Sequence, residues 1–308
     1  VFIGNPPDFE KLKILNNELN IKTIWISDIN NNQADANFKT INSKFIKFIR
    51  KNCKIKNSLF FSYSSKIIFK ENEIKKIFQN NIVNYHPSRL PFDKGGGGYS
   101  WRILKNDRIQ NQCIHLVTKN LDSGKIIYEE TSLFPSYCRT PKNFLDYGHD
   151  SFFKFYEKFI NLLKKNKKFT LNKIPTNIGN YYPRLISKKD GFINWDLDPL
   201  ELNNFINAFD EPFIGATTFV NKKKKLKVYL KQTQLHGGEE SNHPYMSGLV
   251  LRNDNNWLVV ATKGKYCLIV EKVLDVNGNN ILKKIKIGDR LFTPSNFLDN
   301  SKKKRSFE

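Results

Sequence analysis

The densest grouping of chemically capable side chains in the sequence is Asn84-Tyr85-His86-Pro87-Ser88-Arg89-Leu90-Pro91, followed by four consecutive glycines at 95–98. Asn84 and His86 stand two apart at the end of an apolar run over 82–85, so on a strand both project to the same side. Ligands of open α/β sheets bind beyond the carboxyl ends of such strands. A neutral amide donor beside an imidazole suits a reaction in which an oxyanion develops while a proton moves. Pro87 and Pro91 stiffen the loop, and the glycines let backbone approach a ligand closely. Asp122 follows 36 residues after His86, in Leu121-Asp122-Ser123-Gly124. Alone this is an ordinary turn. Next to an imidazole its carboxylate would orient the ring or hold a polar group of the ligand. The glycine run fits neither the P-loop nor the dinucleotide spacing. Cys53, Cys113, Cys138 and Cys267 are scattered, with no C-x-x-C pair and no histidine at ligand spacing, so neither a metal site nor a disulfide framework is expected. Reduced thiols in a cytoplasmic protein are the expectation. His115, inside the apolar run 113–117, reads as a satisfied sheet residue, and His149, His236 and His243 lie among polar residues without evident partners.

These residues need a scaffold. Apolar runs at 1–3, 21–27, 58–63 and 82–85 alternate with helical spacing at 8–19, 43–51 and 71–79, the βαβαβ rhythm of a parallel sheet with helices on its faces. Ser43 is the expected cap of the second helix. Strands at 111–117 and 125–130 flank the Asp122 turn. A Phe-rich amphipathic helix over 143–164 follows, ended by the basic run 164–168, which suits the negative end of the helix dipole. The polar stretch 171–191 reads as a linker. Beyond it, a helix at 199–208 precedes short strands at 216–220, 226–232, 247–251, 257–262 and 266–273, the spacing of a small barrel of the OB type or similar. The lysine run 222–225 reads as a hairpin tip, and Trp195 and Phe209 as core.

Taken together, Asn84-x-His86-x-Ser88-x-Leu90-Pro91, a glycine-rich loop and Asp122-x-Gly124 ahead of a β-run resemble the 10-formyltetrahydrofolate-dependent formyltransferases. That superfamily includes methionyl-tRNA formyltransferase, sugar-nucleotide N-formyltransferases, glycinamide ribonucleotide transformylase and formyltetrahydrofolate deformylase. The stretches 190–195 (DGFINW) and 208–216 (AFDEPFIGA) are similar to two further motifs of the family. The resemblance implies a Rossmann-like catalytic domain over 1–180 and a small C-terminal β-barrel (OB-like) domain over 181–308. It implies catalytic roles for three residues. Asn84 would donate to the formyl oxygen, His86 would take or relay the amine proton, and Asp122 would orient His86 and help position the folate. Ser88, Arg89, Leu90 and Pro91 match the family's folate-contacting Ser-Leu-Leu-Pro, with Arg89 replacing the first Leu. The implied co-substrate is 10-formyltetrahydrofolate, with no enzyme nucleophile and no metal. Lys94 and the glycines stand where methionyl-tRNA formyltransferases carry Arg-Gly-x-Ala-Pro, a departure that bears on the acceptor rather than on formyl transfer.

Composition narrows the remaining classes. A chain of 308 residues with 39% hydrophobic residues, 25 Phe and 4 Trp buries a core and is not disordered. No apolar run is long enough for a membrane helix. Residues 1–7 lack a secretory signal, and an opening at Val1 without Met is what a trimmed chain would show. The net charge of +22 invites a polyanionic partner, yet only 9 of the 51 basic residues are Arg. Residues 1–180 hold 30 basic against 15 acidic side chains, and 181–308 hold 21 against 14. A nucleic-acid grip in the C-terminal part would concentrate the excess there. A spread of lysine with abundant Asn and Ile is also what AT-rich coding produces. The expected acceptor is a primary amine, initiator methionyl-tRNA first and a nucleotide-linked amino sugar second. Hydrolysis of the formyl donor and non-enzymatic nucleic-acid binding are the competing classes, the latter needing none of Asn84, His86 and Asp122.

Overall fold

The computed structural model describes residues 1–96, 98–165, 168–175, 178–220 and 225–303. Gly97, residues 166–167 of the basic run and 222–224 of the lysine run lie outside the described residues. The chain divides into two compact units. Val1–Gly95, Ile109–Leu133 and Gly148–Tyr182 form the first, and Gly96–Arg108, Phe134–Tyr147 and Pro183–Glu308 the second. The units are therefore not two consecutive stretches: two segments from the first half of the chain fold with Pro183–Glu308.

The first unit is built on strands β1 (Phe2–Gly4), β2 (Trp25–Ser27), β3 (Ala36–Asn37), β4 (Phe60–Tyr63) and β5 (Ile82–His86), all parallel. Strand β6 (Asp93–Gly95) leaves this sheet. Strands β7 (Ile109–Leu116) and β8 (Ile126–Leu133) complete it in antiparallel fashion, giving the order β3-β2-β1-β4-β5-β7-β8. Helices α1 (Phe9–Glu18), α2 (Ser43–Asn52) and α3 (Glu71–Lys76) supply the crossovers. Asn42 rather than Ser43 caps α2, its side chain accepting from Phe45 N–H at 3.0 Å. Strand alternation sends neighbours to opposite cores: Phe60 packs with Phe45, Ile49 and Phe78 on one face, while Phe61 packs with Phe152, Phe155 and Phe159 on the other. Each of these rings is essentially removed from water, contributing about 2–3 kcal/mol apiece. The expected linker is more structured than its composition suggests, because β9 (Asn180–Tyr182) pairs in parallel with β6.

Helix α4 (Gly98–Leu104) belongs to the second unit. Helix α5 (Pro141–Lys164) belongs to it as far as Tyr147 and to the first unit from Gly148. Then come α6 (Ser187–Asp190) and α7 (Pro199–Ala208), the latter capped by Asp198 with Pro199 in its first turn. The strands are β10 (Ala216–Val220), β11 (Leu226–Asn242), β12 (Val250–Asn253), β13 (Leu258–Ala261), β14 (Gly264–Leu274) and β15 (Leu291–Phe292), closed by helix α8 (Ser295–Ser301). They form an antiparallel sheet in the order β12-β13-β14-β11-β10-β15. Its core holds Trp195, Phe209, Leu230, Val260 and Leu268, joined by Ile103, Phe134 and Phe144 from the two earlier segments. Those apolar residues are why the segments fold here. An isolated bridge, Leu249 with Arg290, and the hydrogen bond from Val250 N–H to Asp289 O join the neighbourhoods of the two end strands.

Candidate active site

Strand β5 ends in Asn84 and His86, and β7 runs antiparallel beside it in a register that sets Asn84 opposite His115 and His86 opposite Cys113. Directly opposed residues of an antiparallel pair touch. Asn84 Nδ2 accordingly lies 3.1 Å from His115 Nε2. His115 Nδ1 lies 2.9 Å from the Leu116 carbonyl, which can only accept, so the ring proton sits on Nδ1 and Nε2 accepts from the Asn84 amide. That fixes the Asn84 side chain with its nitrogen toward His115 and its second N–H uncommitted by this bond. Burial pushes the His115 pKa down to about 4, with the neighbouring His86 adding to the effect, so His115 is neutral at physiological pH.

His86 Nε2 sits 3.0 Å from the carbonyl of Asp93 in β6 and must donate to it. The neutral ring then has its lone pair on Nδ1, which faces Asp122 Oδ1 at 3.7 Å. The same Asp122 oxygen is 3.7 Å from His115 Nε2. At these lengths the carboxylate makes an electrostatic contact with each ring and not a hydrogen bond. The three side chains are 3–9% exposed, so charge created on His86 would be felt strongly by Asp122.

Local structure explains how Asp122 reaches this position. It takes a left-handed φ of 48°, which Asp tolerates better than most residues. A Cβ on Gly124 would lie 1.7 Å from the Leu116 carbonyl, so only glycine lets the loop return this closely to the end of β7. The Thr118 and Ser123 hydroxyls lie 2.7 Å apart, each also within hydrogen-bond distance of the Asn120 carbonyl, so one donates to the carbonyl and the other to its neighbouring hydroxyl or to the same carbonyl.

The loop 88–91 serves several purposes. Ser88 is buried, Leu90 packs with Cys113, Ile126 and Ile174, and Pro91 is buried behind a cis Leu90–Pro91 bond. Arg89 is exposed, with its guanidinium over the Phe92 ring at 4.8 Å. Gly95, expected to let backbone approach a ligand, instead meets neighbouring backbone. A Cβ on Gly95 would meet the Tyr182 carbonyl at 2.5 Å, so glycine here admits the β6–β9 pairing. Burial and the nearby Glu129 and Asp122 carboxylates raise the Cys113 thiol pKa well above its ordinary value, which keeps it neutral and unreactive.

The structure thus brings Asn84, His86 and Asp122 together and adds the Asp93 carbonyl, not singled out from the sequence, and His115, read there as a satisfied sheet residue. The signal for His115 was its two-residue offset from Cys113 in a strand. Its meaning depended on a register that no single strand reveals.

Residues 185–283 match the family described as formyl transferase, C-terminal domain. A methionyl-tRNA formyltransferase of Malacoplasma penetrans is 23% identical over 274 residues, covering 87% of this chain and 81% of that protein. The chain is similar to formyltransferases along most of its length. A second relative, the bifunctional polymyxin resistance protein ArnA of Wigglesworthia glossinidia brevipalpis, is 26% identical over 198 residues. That match takes in 60% of this chain but only 28% of the relative, so the chain corresponds to a minor part of that longer protein. Among solved structures, the sugar 3N-formyl transferase WlaRD superposes with a TM-score of 0.58 at 17% identity, covering 90% of this chain and 97% of that one. That likeness establishes the formyltransferase fold. Among the described residues, no helix is long and apolar enough to cross a membrane.

Proposed function

We propose that the protein transfers a formyl group from 10-formyltetrahydrofolate to a primary amine. The carrying observation is the cluster at the end of β5: an amide with one N–H held by His115 and another to offer, beside an imidazole whose Nδ1 lone pair faces a buried carboxylate. The acceptor amine attacks the formyl carbon, and Asn84 Nδ2–H donates to the oxygen as it becomes an oxyanion. His86 Nδ1 takes the proton the amine loses, and Asp122 stabilises the imidazolium. Collapse breaks the bond to N10 of the folate, which takes that proton from the His86 imidazolium as tetrahydrofolate leaves, returning His86 to its neutral form. The loop Ser88, Arg89, Leu90 and Pro91 is the proposed folate-binding segment. The similarity to formyltransferases supports this reading, as does the solved WlaRD structure, which was obtained with dTDP and 5-N-formyl-THF.

Methionyl-tRNA is the first acceptor we assign, supported by the relative that spans most of the chain. A nucleotide-linked amino sugar is the second. It is favoured by Lys94 and the glycines after it, and by the Helicobacter canadensis N-formyltransferase structure, which holds folinic acid and dTDP-3-aminofucose. We also read the second unit's sheet as an OB-like barrel, supported by the bridge between Leu249 and Arg290, and place the protein in the cytoplasm.

Purified protein given 10-formyltetrahydrofolate with either methionyl-tRNA or a panel of nucleotide-linked amino sugars tests these assignments. Tetrahydrofolate release matched by an N-formylated product is expected. Inertness toward tRNA moves the acceptor to the sugars. Release without any amine assigns hydrolysis, and inertness throughout overturns formyl transfer. His86→Ala lowers turnover about 10²–10⁴-fold if His86 is the base.

A further inference from the structure

The second unit contains a cavity of about 420 Å³, a size typical of small-molecule sites, and none of Asn84, His86, His115 and Asp122 lines it. Three arginines do: Arg102, Arg108 and Arg139. They are a third of the nine in a chain that draws most of its positive charge from lysine. Lysine provides a hydrated point charge, whereas the planar arginine fork pairs two oxygens at once. Two of the three are held in place. Buried Arg102 lies 3.5 Å from Asp107, and Arg108 donates to the Phe134 carbonyl. Asp107 is the one carboxylate among the lining residues, so the wall is net positive. Asn204 and Asn207 of α7 and Gln234 of β11 also line the cavity, amides suited to neutral polar edges and hydroxyls.

We propose that this cavity is a second ligand site, which binds a diphosphate group through its arginines, carried on a nucleoside or free. It goes beyond formyl transfer and does not depend on it. Isothermal titration calorimetry at physiological salt, with uridine 5′-diphosphate and inorganic pyrophosphate as separate probes, tests it on the wild type, Arg139→Gln and Asn204→Ala. Arg139 is exposed, so its replacement leaves the fold intact, with circular dichroism as the check. Saturable binding of a diphosphate is expected, weakened about tenfold or more in Arg139→Gln, the loss of one charge-assisted hydrogen bond. Removing one charge from a background of +22 changes nonspecific anion binding little, so a loss of that size reports the cavity. Tighter binding of uridine diphosphate than pyrophosphate, with only the former weakened by Asn204→Ala, identifies a nucleoside as the carrier. Equal binding unaffected by Asn204→Ala identifies the free diphosphate. The absence of binding for both probes overturns the proposal, as does equal affinity in the wild type and Arg139→Gln.

Discussion

Asp122 in the first unit and Asp210 in the second are both almost removed from solvent, at 8% and 1% exposure, yet they are treated differently. Asp210 is saturated. It accepts backbone N–H bonds from Glu211 and Gln232, both at 2.6 Å, and pairs with buried Lys231 at 3.5 Å. Asp28 in the first unit is treated likewise, with bonds from Asn5, Ser65 and the Lys66 N–H. Asp122, by contrast, has two imidazoles at 3.7 Å and no side-chain hydrogen bond among the described residues. A buried carboxylate with its capacity filled holds a fold together. One that keeps capacity in hand can respond when a neighbour becomes charged.

The comparison predicts opposite phenotypes. Asp122→Asn, chosen because Asn also accepts a left-handed φ, should lower turnover by about 10²–10⁴-fold while leaving the urea midpoint nearly unchanged. Near-normal steady-state kinetics would break the distinction at its most informative point. Asp210→Ala should do the reverse, costing about 3–5 kcal/mol because it leaves the Glu211 and Gln232 N–H groups without their acceptor and removes the nearer of the two carboxylates beside Lys231. Equilibrium unfolding measures this, and a loss below 1 kcal/mol would mean the second unit does not rely on that pair.

A smaller effect comes from His115, whose folded pKa near 4 lies below the ordinary histidine value. Between the two values the unfolded chain binds a proton that the folded one refuses. Stability contributed by neutral His115 is therefore full above pH 6.5 and falls as pH drops toward 4, by up to about 3 kcal/mol. Denaturation curves at several pH values should show a gentler acid slope in His115→Asn than in the wild type. Parallel slopes would remove His115 from the account. The smallest change is Ser65→Ala, which takes one of three bonds from Asp28 and should cost about 1 kcal/mol, read from the shift in thermal midpoint. A much larger loss would show Asp28 to be less well satisfied than its geometry indicates.

Much of the first unit was legible because its strands are short apolar runs punctuated by turn residues. Helix α7 and β10 were readable to the residue for the same reason. Strand β11 was underestimated, since beyond Gln232 it becomes polar and is held by pairing with β14 rather than by its own hydrophobicity. The β6–β9 pair was read as loop and linker, because parallel pairing between distant segments leaves no local pattern. Residues 96–108 and 134–147 fold with the second unit through a few apolar side chains, such as Ile103, Phe134 and Phe144, whose destination no local spacing specifies.

By itself the sequence determined which side chains were available for chemistry: an amide and an imidazole two apart at a strand end, and a carboxylate in a turn that needs glycine. Residue type and strand periodicity are local properties, and a sequence states them directly. Tertiary structure decided the rest. The antiparallel register put His115 against Asn84 and so set which way the amide points. The position of β6 gave His86 a carbonyl that fixes its proton on Nε2. The folding of two early segments with Pro183–Glu308 gathered three arginines around one cavity. Each depends on segments far apart in the chain meeting at a defined offset, which is settled by the packing of whole elements and not by any one stretch of residues.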